Sequence, residues 1–383
     1  MRRSRFGRKW WLPALGVLAL VLAACSTESG PDNGQNALHP KGKYSQQIDN
    51  LFTPIFWIAV AIGVFIICAV VFVALRYRQR PGRDDRPKQI HGSTPFEISW
   101  TIVPALILAV IAVPTVSTIF SLAEKPAHPI EVTAIGKQWW WEFEYPKTAD
   151  NAQVVTANEL HVPTGRDVLV SLSACDPSLG GTEEDPACNV IHSFWVPELA
   201  GKKDVVPGHD NQVKLRTNQI GTYLGQCAEY CGLSHANMRF RVIVESPEDY
   251  DAWLAGQQQG PAVSVAQAGA AGELFTKKFQ CTNCHTTENS AISTYGPNLT
   301  HLGSRTTFAS GYYELTRSKL IEWILDAPSL IPMESKDCRL GPPGTPGVTC
   351  VGMPSFTRNT PKGDPVMTRA EAEQLADYLL SLK

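Results

Sequence analysis

The chain has 383 residues, with 34 basic against 36 acidic side chains and a formal net charge of −2. Near neutrality singles out no charged partner, and no basic aromatic surface suggests nucleic acid. Ten cysteines, nine histidines and five methionines carry most of the chemistry on offer.

Arg2, Arg3, Arg5, Arg8 and Lys9 precede an apolar run over 10–24, the pattern of a signal peptide spanning 1–24. Leu22-Ala23-Ala24-Cys25 resembles a bacterial lipoprotein cleavage box and predicts lipidation at Cys25; an ordinary signal peptide with an incidental cysteine is the alternative. An extracytoplasmic segment, 25–50, follows. Two apolar runs, 51–75 and 98–122, are each long enough to cross a bilayer as a helix. Cys68 in the first reads as a small core residue, and Pro114 is expected to kink the second. Between them stand Arg76, Arg78, Arg80, Arg83, Arg86 and Lys88, offset only by Asp84 and Asp85. The positive-inside rule makes this loop cytoplasmic. Residues 51–122 then form a transmembrane hairpin with both flanking segments outside the cell membrane. Glu97 begins the second span, where the helix dipole favours a carboxylate.

Beyond the spans, short alternating runs at 131–135, 139–145, 159–162, 168–173, 190–195, 212–216 and 239–244 are broken by proline and glycine. They predict a β-sandwich or barrel over 123–256. Ser246-Pro247-Glu248-Asp249 caps a short helix through Trp253 and Leu254. Trp139-Trp140-Trp141 must put rings on both faces of a strand, so at least one ring is expected at the surface.

One loop of this region gathers two thiols, an imidazole and a thioether: Cys227-Ala228-Glu229-Tyr230-Cys231-Gly232-Leu233-Ser234-His235-Ala236-Asn237-Met238. A second imidazole stands upstream, in Val190-Ile191-His192-Ser193-Phe194-Trp195. Soft sulfur with imidazole is the ligand set that suits copper. Two cysteines at this spacing can aim both sulfurs into one small volume, where each thiolate bridges two ions. One histidine for each copper, with Met238 and the backbone carbonyl of Glu229 as weak donors, completes a dinuclear cage. Such a cage has no open position; it carries electrons and binds no substrate. A structural zinc site and a Cys227–Cys231 disulfide are the competing readings, and the thioether speaks against zinc.

Residues 257–267 carry no charge and little bulk and read as a linker, a tether that gives whatever follows an effective concentration of order mM at the preceding domain. A helix is expected over 266–280, with Leu274, Phe275 and Phe279 at helical spacing. It leads into Cys281-Thr282-Asn283-Cys284-His285, a c-type haem attachment sequence whose alternatives are a redox dithiol or half of a zinc site. Tyr295-Gly296-Pro297-Asn298-Leu299 follows. Thr368-Arg369-Ala370-Glu371 is a capping-box pattern opening a terminal helix over 369–382. Residues 268–383 therefore read as an all-α class I cytochrome c domain. Covalent attachment falls to Cys281 and Cys284 and axial ligation to His285, and the resemblance to that family implies a methionine as the sixth ligand. Met353 lies on a loop before the terminal helix, as that fold requires; Met333 is the runner-up, and Met367 reads as a hydrophobic staple. Cys175 and Cys188 bracket one insertion, and Cys338 and Cys350 bracket another just before Met353. Two local disulfides are expected there, which fits an oxidising exterior.

On the run from Cys227 to Met238, with His192-Ser193-Phe194-Trp195-Val196-Pro197-Glu198-Leu199 before it, residues 44–254 resemble the CuA-bearing subunit II of haem-copper cytochrome oxidases. With the fused cytochrome c segment, the chain is similar to the caa-type arrangement. The resemblance narrows the β-domain to a cupredoxin fold and implies that His192, Cys227, Glu229 (through its carbonyl), Cys231, His235 and Met238 hold two coppers. It implies that the Glu229 side chain binds magnesium at the border with subunit I, that Trp139 is where electrons arrive, and that Glu97 marks the mouth of a proton path. It further implies a bacterial membrane location, partnership with subunit I and subunit III, and cytochrome c or a cytochrome bc complex as donor. Oxygen would be reduced in the separate catalytic chain. A CuA-containing nitric oxide reductase is a close alternative, and a copper-delivery lipoprotein a more distant one.

Overall fold

The structure is a computed structural model, and it describes residues 34–79, 82, 91–147, 153–174, 190–287, 295–333, 352–357 and 365–383. The signal segment, Cys25 and the cysteines 175, 188, 338 and 350 lie outside the described residues.

Helix α1, Lys43–Arg76, and helix α2, Thr94–Ala123, form the expected hairpin and run unbroken through Pro54, Pro104 and Pro114. The most apolar 18-residue window of each has none of its residues buried within the chain. That surface needs lipid or another subunit to cover it. Cys68 is exposed on this surface rather than in a core.

At 34 residues, α1 is about 51 Å long, well beyond the roughly 30 Å hydrocarbon layer. Its first turns stand clear of the apolar run and seat on the β-domain. The Tyr44 hydroxyl donates to Asp167 at 2.6 Å, and Ser45 Oγ donates to the Glu198 carbonyl at 2.7 Å. Lys214 Nζ donates to the carbonyls of Ser121 and Glu124 at 3.1 and 2.6 Å, placing a cation at the C-terminus of α2. The β-domain thus grips the outer end of both helices.

Asp167 is the pivot of that grip. Partial burial raises its pKa, but the Tyr44 hydroxyl, Arg216 and Lys43 outweigh burial and hold it below the ordinary carboxylate value. A depressed folded-state pKa stabilises fully above the unfolded value of about 3.9, and the stabilisation is lost as pH falls through the folded value. Asp167→Asn is expected to weaken the joint by roughly 1–3 kcal/mol at neutral pH. Thermal melts at descending pH check this: the gap between wild type and variant should close once the medium is acid enough to protonate Asp167.

The β-domain is two facing five-stranded sheets. One has the order β3-β2-β1-β5-β8, built from β1 (Ile130–Lys137), β2 (Trp140–Glu144), β3 (Val155–Ala157), β5 (Val168–Ser173) and β8 (Asn211–Leu215). The other has the order β4-β10-β9-β6-β7, from β4 (Glu159–Pro163), β6 (His192–Trp195), β7 (Lys203–Val205), β9 (Gly221–Cys227) and β10 (Arg239–Glu245). β1 runs parallel to β5 and β4 parallel to β10; the other pairings are antiparallel. Trp141, Phe143, Phe194 and Phe240 meet between the sheets at centroid separations of 4.5–6.5 Å. This is the cupredoxin-like sandwich that the sequence predicts.

Three strands, β3, β7 and β9, are absent from the predicted set. The first two are only three residues long. β9 contains two glycines, and Gly225 is there because a Cβ would fall 2.2 Å from the Phe240 ring. The expectation of an exposed tryptophan is corrected: Trp139, Trp140 and Trp141 are all buried. Trp141 points into the sandwich, Lys137 lies over Trp140, and Trp139 is held under the cysteine loop.

Helix α3, Pro247–Gln257, starts at the expected Ser246 cap and runs three residues past Leu254. The segment that follows is corrected from a free tether to packed chain: Val263, Val265 and Ala268 rest on the C-terminal core. The helix expected over 266–280 is shorter. It comprises α4, Ala270–Glu273, passing into a π-turn, Leu274–Lys278, because Gly269 takes a left-handed φ of 55° immediately before it. A small hairpin, β11 (Thr307–Phe308) with β12 (Tyr313–Glu314), precedes α5, Arg317–Leu330. The terminal helix α6, Arg369–Ser381, opens on the predicted Thr368–Glu371 capping box, and its Tyr378 meets Phe275 edge-on at 5.9 Å.

Candidate functional site

β6 and β9 are neighbours, with Phe194 opposite Cys227. His192 lies two residues before Phe194 and shares its inward face. Its ring fits because Gly136 on β1 has no Cβ, which would stand 2.8 Å from His192 Cδ2. After Cys227 the chain turns through Gly232, at φ 110°, into a short 3-10 turn at His235–Asn237. The Cys227 N–H donates to the Met238 carbonyl at 2.9 Å and closes the loop on itself.

The closure brings the predicted donors together. Cys227 Sγ and Cys231 Sγ are 3.8 Å apart and unbonded. His192 Nδ1 lies 3.9 Å from Cys227 Sγ, and His235 Nδ1 lies 3.6 Å from Cys231 Sγ. Met238 Sδ is 3.8 Å from Cys231 Sγ, and the Glu229 carbonyl is 3.2 Å from Cys227 Sγ. His192, Cys227, Cys231 and Met238 are buried. Gln138 Nε2 and Trp139 Nε1 both donate to the Cys231 carbonyl, at 2.7 and 2.9 Å, and fix the loop from outside. Gln138 and Gly136 were not singled out by the sequence, since only strand register brings them to the loop.

The two thiols interact, and their pKa values move in opposite directions. Hydrogen bonding from Cys231 lowers the Cys227 pKa, against burial and with help from His192 and the backbone. The same contact and burial push the Cys231 thiol up. The second proton is released when a cation compensates the charge. Three soft sulfurs, two imidazoles and a carbonyl within these distances fit a copper pair. They exceed the four donors of a tetrahedral zinc site. Glu229 Oε1 accepts from the Tyr230 N–H at 3.2 Å, and Tyr230 and Leu233 stand exposed on the rim of the loop.

In the C-terminal unit, Cys281–Asn283 form a 3-10 turn, and the N–H groups of Cys284 and His285 both donate to the Cys281 carbonyl. His285 Nδ1 donates to the Pro297 carbonyl at 2.8 Å, which leaves Nε2 as the free lone pair. Gly296 is required beside it, because a Cβ would stand 2.6 Å from His285 Cε1. Burial lowers the His285 pKa, Arg305 adds to this, and the Pro297 contact opposes it; the ring is neutral and ready to ligate. Burial pushes Cys281 up to about 12 and also raises Cys284. Protonated thiols are poor redox dithiols. Two thiols beside one imidazole whose Nδ1 is already engaged are the donor set that a covalently held haem would need.

Met353 and Met367 pack with the C-terminal core, whereas Met333 packs against the core of the β-domain. Glu97 Oε1 accepts from the Ser93 N–H at 3.2 Å and so caps α2.

Residues 35–118 match the transmembrane domain of cytochrome c oxidase subunit II, and residues 130–246 match its periplasmic domain. Cytochrome c oxidase subunit 2 of Alkalihalophilus pseudofirmus is 35% identical over 327 residues, covering 82% of this chain and 87% of that one. Quinol oxidase subunit 2 of Bacillus spizizenii is 32% identical over 255 residues, covering 64% and 71%. Among solved structures, the periplasmic domain of cytochrome oxidase subunit II from Bradyrhizobium japonicum is 25% identical, covers 35% of this chain and 96% of that one, and has a TM-score of 0.29. With both of its domains matched in order and a relative alike over most of both lengths, the chain belongs to the cytochrome c oxidase subunit II family, the electron-transfer subunit of haem-copper oxidases.

Proposed function

We propose that this chain receives electrons on a haem c of its own, passes them to a dinuclear CuA centre and delivers them to a haem-copper catalytic subunit that reduces oxygen to water. His192, Cys227, the Glu229 carbonyl, Cys231, His235 and Met238 hold the copper pair, and Cys281, Cys284, His285 and Met353 hold the haem. When bound, the two groups supply one-electron carriers and no substrate site. The observation that carries the reading is the convergence of those donors around two unbonded sulfurs 3.8 Å apart. The haem assignment is supported by the His285–Pro297 contact and by the extent of the relatives. A contiguous match over 82% of 383 residues runs through residues 281–285, whereas one over 64% need not.

The rest of the reading follows the domain order set out from the sequence: a lipidated Cys25, the membrane hairpin, then a copper domain over 123–256 and a cytochrome domain over 268–383, both on the extracytoplasmic face. The pairs Cys175–Cys188 and Cys338–Cys350 form disulfides. Subunit I docks on the loop rim, where Glu229 shares a magnesium ion with it; subunit III completes the assembly, and cytochrome c or a cytochrome bc complex is the donor.

Electron spin resonance with metal counting on the purified complex tests this. One unpaired electron shared by two equivalent copper nuclei, beside one low-spin haem, is expected for this subunit. A single zinc ion, or no metal after copper-replete expression, rejects the reading.

Glu97 has a separate test. Glu97→Gln keeps the acceptor oxygen that caps α2 but removes the ionisable group. It should slow oxygen turnover by about tenfold or more if the carboxyl carries protons, with copper and haem spectra unchanged. Wild-type turnover would leave Glu97 as a cap alone.

A further inference from the structure

Glu159 opens β4 and is 4% exposed. A carboxylate so far from water needs charge-assisted hydrogen bonds. Its Oε1 accepts from the N–H and hydroxyl of Thr306, at 3.2 and 3.0 Å, and from the N–H and hydroxyl of Thr307, at 3.2 and 3.1 Å. All four donors belong to the C-terminal unit. Arg305, next in the chain, interacts electrostatically with the same carboxylate.

Other contacts lie along this seam. Ser310 Oγ, at the tip of the β11–β12 hairpin, donates to the Trp139 carbonyl. The Arg239 guanidinium sits over the Tyr312 ring at 5.1 Å. Ser234, next to His235, donates through Oγ to the Pro332 carbonyl, and the adjoining Met333 packs on the β-domain core. Thr307 and Ser310 are themselves buried.

We propose that Glu159 is the latch that holds the C-terminal unit in one fixed orientation against the β-domain, across the edge that begins at Trp139. Electrons then cross a set seam instead of waiting on a tethered search. The chain's own hairpin covers the Trp139 backbone, so an outside carrier hands its electron to the C-terminal unit and not to Trp139. Glu159 is a positioning residue; it touches neither metal site. The latch requires no metal, so it stands or falls separately from the copper and haem assignments, which are read spectroscopically.

Hydrogen exchange on the full chain in its purified complex tests the latch. Glu159→Ala should speed exchange about tenfold, and in two places together: peptides covering 306–312 and peptides covering 138–142. Glu159→Gln keeps a neutral acceptor and should give a smaller rise in both. Thr306→Val with Thr307→Val attacks the contact from the other side and should reproduce the alanine result; it decides the matter if Glu159→Ala fails to fold. Electron passage from the C-terminal unit to the β-domain, followed after a light pulse, should become viscosity-dependent in the latch variants. Faster exchange confined to 306–312 would reduce Glu159 to a turn cap, and unchanged exchange in both peptides would likewise overturn the proposal.

Discussion

Cys227→Ser is expected to abolish the paired-copper signal, leave at most one copper in the β-domain, and cut electron delivery to oxygen by at least about a hundredfold. Loss of an outer-shell partner alone costs 10–100-fold at metal sites, and in the proposed centre Cys227 would be a direct ligand. Its sulfur faces Cys231 at 3.8 Å, His192 at 3.9 Å and the Glu229 carbonyl at 3.2 Å. A hydroxyl there is a hard donor that does not bridge two coppers at neutral pH. The fold should survive, since serine matches the volume and the Cys227 N–H still reaches the Met238 carbonyl. The competing readings behave differently. A structural zinc site would lose its one ion and the loop its order, with no paired-copper signal in the wild type to lose. A disulfide would leave Cys231 as a newly titratable thiol. The raised Cys231 thiol gives a second handle. Cys231 is pushed up, so copper loading must expel a proton. Loading of the wild-type chain should therefore strengthen as pH rises through neutrality, and equilibrium dialysis against copper would detect the slope.

The parts legible in sequence are those whose chemistry is local. The run from Cys227 to Met238 holds most of its donors within twelve residues, and the Thr368–Glu371 box announces a helix that begins one residue later. The membrane spans are legible because lipid imposes length and apolarity on one contiguous segment. What was hidden depends on contacts between distant segments. β9 reads poorly because Gly225 answers to the Phe240 ring across the strand pair, not to strand propensity. Strand alternation does not govern the tryptophan triplet, since Trp139 lies in the turn between β1 and β2; all three rings are buried, with the cysteine loop over Trp139 and Lys137 over Trp140. The stretch after α3 has a linker's composition, but Val263 and Val265 supply enough apolar surface to lie down on the C-terminal core. Glu159 carries no motif at all; its partners lie 147 and 148 residues away.

Met353→Ala is expected to remove the thioether–iron spectral band while the haem stays covalently attached, and to lower its potential by on the order of 0.1 V, well within the span that axial ligands set. At 59 mV per decade for one electron, that is roughly a fifty-fold fall in the ratio of reduced to oxidised haem at a fixed donor potential. Turnover should then become limited by electron input and should recover when a stronger reductant replaces the natural donor. Met333→Ala supplies the contrast. Met333 packs against the β-domain core, and Gly352, the neighbour of Met353, approaches it so closely that an added Cβ would lie 2.7 Å from the Met333 sulfur. Its truncation should leave the spectral band intact and instead loosen the seam, seen as faster proteolysis between 258 and 263. Should the band vanish in Met333→Ala and persist in Met353→Ala, the two thioethers exchange roles. Met333, next to the Pro332 carbonyl that accepts from Ser234 beside His235, would then tie the haem iron to the copper loop.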